Sequence, residues 1–241
     1  MKTTIITIAI LLAIATGITA AVYFYKPPTT SDLVVLRDVT ERQLATPDAA
    51  EILALCDLSG NKKWNGARLT FSDVTDVSYN EARRVSIEGA NQWLSNEPER
   101  DKEIRDFTNQ LNGVITALAG DTIGRPHSSI YLPIARQLAL LSASKAARRI
   151  LIVYSDLMEN DPGMSFYDPS WSLRLQSDPD SVKKVLDRWQ ALPPLTGIDV
   201  YLVFRPKNAT EDGQYRIASG FYQHLLEAQG ARVHIGANLL N

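Results

Sequence analysis

The feature that most limits what this chain can become is its alternation of short, unbroken apolar runs with longer amphipathic stretches. Leu33-Val34-Val35-Leu36 and Ile150-Leu151-Ile152-Val153-Tyr154 have the pattern of strands covered on both faces. Residues 198–204 and 232–235 read as two further strands. Between these runs, helices are expected over 47–58, 97–118, 130–143, 180–192 and 213–228. In the second of them Ile104, Phe107, Leu111, Ile115 and Leu118 recur at three- and four-residue spacing. Thr46 is the expected cap of the first, with Pro47 at its first position. Residues 69–77 and 82–88 are close enough to pair as a hairpin, with Asn80 in the turn. Buried strands separated by helices predict an α/β fold with a doubly wound, mostly parallel sheet and one antiparallel hairpin strand.

Composition and charge remove several functional classes. The formal net charge is -2 and no long basic block occurs, which argues against a nucleic-acid partner. Cys56 is the sole cysteine, so neither an internal disulfide nor a Cys-based zinc site can form. It sits in an apolar helical run and is expected to be a buried, inert thiol. Residues 3–25 carry no charge and are long enough to cross a hydrocarbon layer as a helix. Tyr23, Phe24 and Tyr25 suit a membrane interface, and Lys26, Pro27 and Pro28 end the run. The expected organisation is an N-terminal membrane anchor over 1–28, a short linker over 29–31 and one α/β domain over 32–241. A cleaved signal peptide is the competing reading, with Thr19-Ala20-Ala21 near its cleavage point. Either reading places the domain in the periplasm or on the cell surface.

In an open parallel sheet, ligands bind beyond the carboxyl ends of the strands. Two predicted strands end there with an acid, Asp38 and Asp156. These residues, in their order, resemble the von Willebrand factor type A (vWA) family. Asp38-Val39-Thr40 resembles the start of the family's Asp-x-Ser/Thr-x-Ser segment. Ser128-Ser129-Ile130-Tyr131 is similar to the segment before its central helix, and Tyr154-Ser155-Asp156 with Glu159-Asn160 to the one after its fourth strand. The resemblance spans residues 32–240. It implies a metal-ion-dependent adhesion site in which Asp38, Thr40, Ser128 and Asp156 hold Mg²⁺, an ion that prefers hard oxygen ligands. An open coordination position would then take a carboxylate from a protein partner. The chain departs from the family at Arg42, where a third small hydroxyl is expected. Either Arg42 points away, or its guanidinium stands between Asp38 and Asp156 and replaces the ion, leaving a metal-free scaffold. Glu41 and Glu159 either add to the cation site or are solvated loop acids.

Signatures of common enzymes are missing. No Gly-x-Ser-x-Gly elbow, His-Glu-x-x-His pair or Walker A loop occurs, and the three histidines have no metal-ligand spacing. A metal-dependent phosphohydrolase using Asp38 and Asp156 remains the rival reading, without an identified general base. The connection over 157–175 is long, and such loops commonly bind partners. Glu159, Met164, Phe166, Tyr167 and Trp171, with Arg42, are the expected partner-binding residues; the alternative is that the aromatics fold back as a local core. The sequence therefore predicts a membrane-anchored interaction module that is not an enzyme.

Overall fold

The computed structural model describes residues 27–40, 44–74, 82–118 and 127–240. Its main sheet contains β1 (Thr30–Asp38), β2 (Gly66–Val74), β3 (Ala82–Ile87) and β4 (Arg148–Tyr154). The short β5 (Asn160–Asp161) and β6 (Met164–Ser165) pair separately, and β7 (Ile198–Val203) and β8 (Arg232–Gly236) complete the main sheet. Its order is β3-β2-β1-β4-β7-β8, parallel throughout except where β3 returns antiparallel beside β2. This is the doubly wound arrangement expected from the alternating runs. The winding direction reverses between β1 and β4, and ligands of open α/β sheets bind beyond the carboxyl ends at such a switch point.

Two layers of helix cover the sheet. On one face lie α1 (Ala49–Cys56) and α2 (Glu97–Leu118); on the other lie α3 (Tyr131–Ala143), α4 (Pro169–Ser177), α5 (Pro179–Trp189) and α6 (Ala209–Glu227). Alternate residues of the central strands feed the two cores. Leu33, Val35, Ile150 and Ile152 pack with Phe107 and Leu111 of α2. Val34, Leu36, Leu151 and Val153 pack with Ile134 and Leu138 of α3 and Tyr222 of α6. Cys56 is fully buried and its thiol is pushed up to about 12 by that burial, so it stays protonated.

Several boundaries differ from the sequence expectation for local reasons. α1 is capped by Asp48 and not by Thr46, since the Asp48 carboxylate accepts the N–H groups of Ala50 (2.9 Å) and Glu51 (3.0 Å). A charged acceptor at a helix N-terminus also meets the favourable end of the helix dipole. The 157–175 connection is folded: it holds the β5–β6 ribbon and most of α4, which Asp168 caps through the Ser170 N–H at 2.7 Å. α6 begins four residues before the expected Gly213 because Asn208 accepts the Glu211 N–H at 2.9 Å, while Glu211 accepts the Lys207 N–H at 2.7 Å. Replacing Asn208 with Ala should lower unfolding stability by about 1 kcal/mol, read from the urea midpoint.

The expected linker is part of the domain. β1 starts at Thr30, Thr29 donates its N–H to Asn65 Oδ1 (3.0 Å), and the Gly66 N–H donates to the Thr29 carbonyl (2.8 Å). Pro28 packs so closely on Gly89 that a side chain at 89 would place its Cβ 2.9 Å from Pro28 Cβ. Nearby, Arg100 of α2 is buried at 1% exposure, an unusual place for a guanidinium. It donates to the carbonyls of Lys63 (2.7 Å), Glu88 (2.9 Å) and Asn65, and to Glu103 (2.8 Å). The segments that enter β2 and leave β3 are thus clamped onto the first turn of α2. The apolar run at residues 3–25 and the turn at Asn80 lie outside the described residues. Among the described residues no helix is long and apolar enough to cross a membrane.

Candidate functional site

Beyond the carboxyl ends of β1 and β4, hydroxyls gather around one buried carboxylate. Asp38 is the last residue of β1 and is 3% exposed. Its neighbour Arg37 points to the opposite face and forms a two-bond ion pair with Asp73 (2.9 and 3.1 Å), which fixes the strand end. Asp38 Oδ1 accepts both the N–H (3.0 Å) and the hydroxyl (2.6 Å) of Thr40. Oδ2 accepts the Ser155 hydroxyl at 3.0 Å, and Ser155 Oγ in turn accepts the Leu157 N–H at 2.9 Å. Burial raises the Asp38 pKa above the ordinary carboxylate range, opposed by hydrogen bonds from Thr40 and Ser155 and by the hydroxyl of Ser128. Ser128 Oγ is therefore close to the carboxylate, yet among the described residues it is buried without a well-formed hydrogen bond.

Ser128 is held from behind. Its backbone pairs with Asn160 (N–H to carbonyl, 3.1 and 2.9 Å), a single bridge that closes the β5–β6 ribbon onto the start of α3. The same closure buries Glu159 completely. Glu159 Oε2 accepts the N–H groups of Ile130 (3.0 Å) and Tyr131 (2.8 Å), capping α3 from a distant segment. Glu159 Oε1 and the hydroxyl of Tyr222 are both buried without a partner among the described residues. Burial pushes the Glu159 carboxyl up to about 8, against the pull of the two helix N–H groups, with nearby Asp161 adding to the rise.

The predicted site residues separate into three groups. Asp38, Thr40 and Ser128 are brought together beyond the carboxyl end of β1. Asp156 is engaged within its own loop, accepting the Met158 N–H (3.0 Å) and the Tyr167 hydroxyl (2.9 Å). Among the described residues no three His, Cys, Asp or Glu side chains gather to hold a metal. Arg42 and Glu41 lie outside the described residues. Of the predicted partner-binding residues, Glu159 is a buried cap and not a solvated acid, and Met164 and Phe166 belong to the core. The fold-back alternative describes those two side chains. Tyr167 is exposed and Trp171 is half-buried beneath the Arg174 guanidinium, 4.8 Å from its ring. Ser155 was missed, although a hydroxyl between an apolar strand and an acid is the signal that would have found it.

Neither a scan of protein-family models nor a search of curated proteins finds a match for this chain.

Proposed function

We propose that this is a vWA-like interaction module that binds a protein partner at the carboxyl edge of its sheet through Mg²⁺. The observation that carries the reading is the buried Ser128 hydroxyl, which lies beside the desolvated Asp38 carboxylate without a well-formed hydrogen bond among the described residues. A buried polar group without a partner is costly, and a ligand there would relieve that cost. The donors fit a hard cation: a carboxylate from Asp38 and hydroxyls from Thr40 and Ser128, while Asp156 at the second strand end is held by Met158 and Tyr167. When bound, the ion offers a coordination position to a carboxylate of the partner. Asp38 supplies the charge, Ser155 orients Asp38, and the paired Ser128–Asn160 backbone holds the Ser128 hydroxyl in place. Tyr167 and Trp171 form the aromatic rim available to that partner. The apolar run at residues 3–25 anchors the module, with the domain outside the cytoplasm.

Thermal unfolding of the full chain with Mg²⁺, with Mn²⁺ and with EDTA tests this reading. An ion at a hundred times its Kd should stabilise the folded state by about 2.7 kcal/mol. The midpoint should rise with ion concentration in the wild type and stay flat in Asp38→Asn and Ser128→Ala. A wild type indifferent to both ions, or an Asp38→Asn variant that responds equally, would remove the metal. Turnover of a generic phosphoester that disappears in Asp38→Asn would favour a hydrolase instead.

A further inference from the structure

The amino edge of the sheet carries an apolar projection that neither core uses. Trp93 is 71% exposed and the adjacent Leu94 86%, the two most exposed large apolar side chains among the described residues. They sit at the tip of a tight turn that is built, not frayed. Asn91 Oδ1 accepts the Trp93 N–H (2.9 Å), and the Asn91 carbonyl accepts the N–H groups of Leu94 (3.1 Å) and Ser95 (2.9 Å). The turn is fixed to the domain just before it, where the Ala90 N–H donates to the Trp64 carbonyl at 2.8 Å. An ordered turn that holds a tryptophan and a leucine out in solvent exposes apolar surface without an internal reason.

Its position supplies the reason. Gly89, two residues before the turn, is in close contact with Pro28, where the chain enters the domain from the apolar run at residues 3–25. Trp64 is half-buried on the same edge, with the Lys63 ammonium 5.6 Å from its ring. We infer that the Trp93–Leu94 turn is a membrane foot: it inserts into the lipid interface beside the anchor and fixes the domain's stance on the bilayer. Tryptophan suits this layer, because its ring is apolar while its N–H still reaches water or headgroups. The contact is apolar and not electrostatic. Lys63, the cation beside Trp64, is already bonded to Glu97 and Asp101. The inference rests on the proposed anchor, which flotation alone tests, whereas quenching tests the foot.

The full chain would be reconstituted into phosphatidylcholine vesicles, floated on a density gradient, and its tryptophan emission compared with and without brominated phosphatidylcholine. The wild type should float and be quenched by the bromolipid. Trp93→Phe should still float and should lose more than half of that quenching. Leu94→Ser should also float, with the Trp93 emission shifted to longer wavelength. Flotation with quenching unchanged in Trp93→Phe would overturn the foot and leave the anchor standing. A chain that does not float at all would overturn both.

Discussion

Replacing Glu159 with Gln should make the protein more stable at alkaline pH and flatten its stability between about pH 5 and pH 8. The folded carboxyl is pushed up to about 8, chiefly by burial, from an ordinary value of 4.5. Because the folded pKa lies above the unfolded one, its contribution is complete below about 4.5 and is lost as pH rises to about 8. Across that window the slope is about 1.4 kcal/mol per pH unit, since only the unfolded chain releases the proton. Gln cannot ionise, yet its carbonyl can still accept the N–H groups of Ile130 and Tyr131. The variant should therefore gain about 2–4 kcal/mol over the wild type near pH 8, after allowance for relaxation around the ionised group. Glu159→Ala should also lose the slope, but at a cost of about 3 kcal/mol, because two buried donors lose their acceptor and a cavity opens. Urea unfolding from about pH 5 to pH 9 reads all three curves. Parallel curves for wild type and Glu159→Gln would show that the carboxyl is not the titrating group.

Arg100→Met should destabilise the domain by about 3–5 kcal/mol, the range seen when one partner of a buried charged contact is removed. The methionine fills much of the volume but leaves the carbonyls of Lys63, Asn65 and Glu88 without their donor. Arg100→Lys should recover only part of the loss. A single ammonium cannot reach three carbonyls that the planar guanidinium meets at once. Denaturant midpoints would separate the variants, and an Arg100→Met midpoint within about 1 kcal/mol of wild type would remove the clamp from the account.

The sheet was legible in the sequence because each central strand is an apolar run that water cannot wet on either face. Residues 33–36 and 150–154 admit no other role in a chain with helices between them. α2 was equally plain, from Glu97 to Leu118, because its stripe is long enough to average over exceptions. The stripe also held the sign of Arg100, which lies four residues before Ile104 on the same face, but a lone cation there reads as solvated. Glu159 was illegible for a different reason. Its burial depends on a ribbon closing onto Ser128 through Asn160, a contact between residues 32 apart that no local pattern announces. The 157–175 connection looked irregular although Asp168-Pro169-Ser170 is a good helix start; its mixture of glycine, prolines and aromatics hid that signal. For the candidate site, the order of Asp38, Ser128 and Asp156 was readable. The detour of Asp156 toward Tyr167 was not, since side-chain direction is set by the folded loop.

β1 is bonded on both sides, to β2 from Thr30 to Asp38 and to β4 from Ser31 to Arg37. Its first residue lies beside the point where the chain enters the domain, and its last is Asp38. A tether at one end and a partner at the other would therefore pull along a single strand, about 30 Å long at 3.3 Å per residue. Under such tension the inter-strand hydrogen bonds of both ladders are loaded together, in shear, and no single bond can open ahead of the rest. The helices on either face lie outside that line of force. A domain connected in this way would transmit a mechanical load between membrane and partner while its outer layers stay slack.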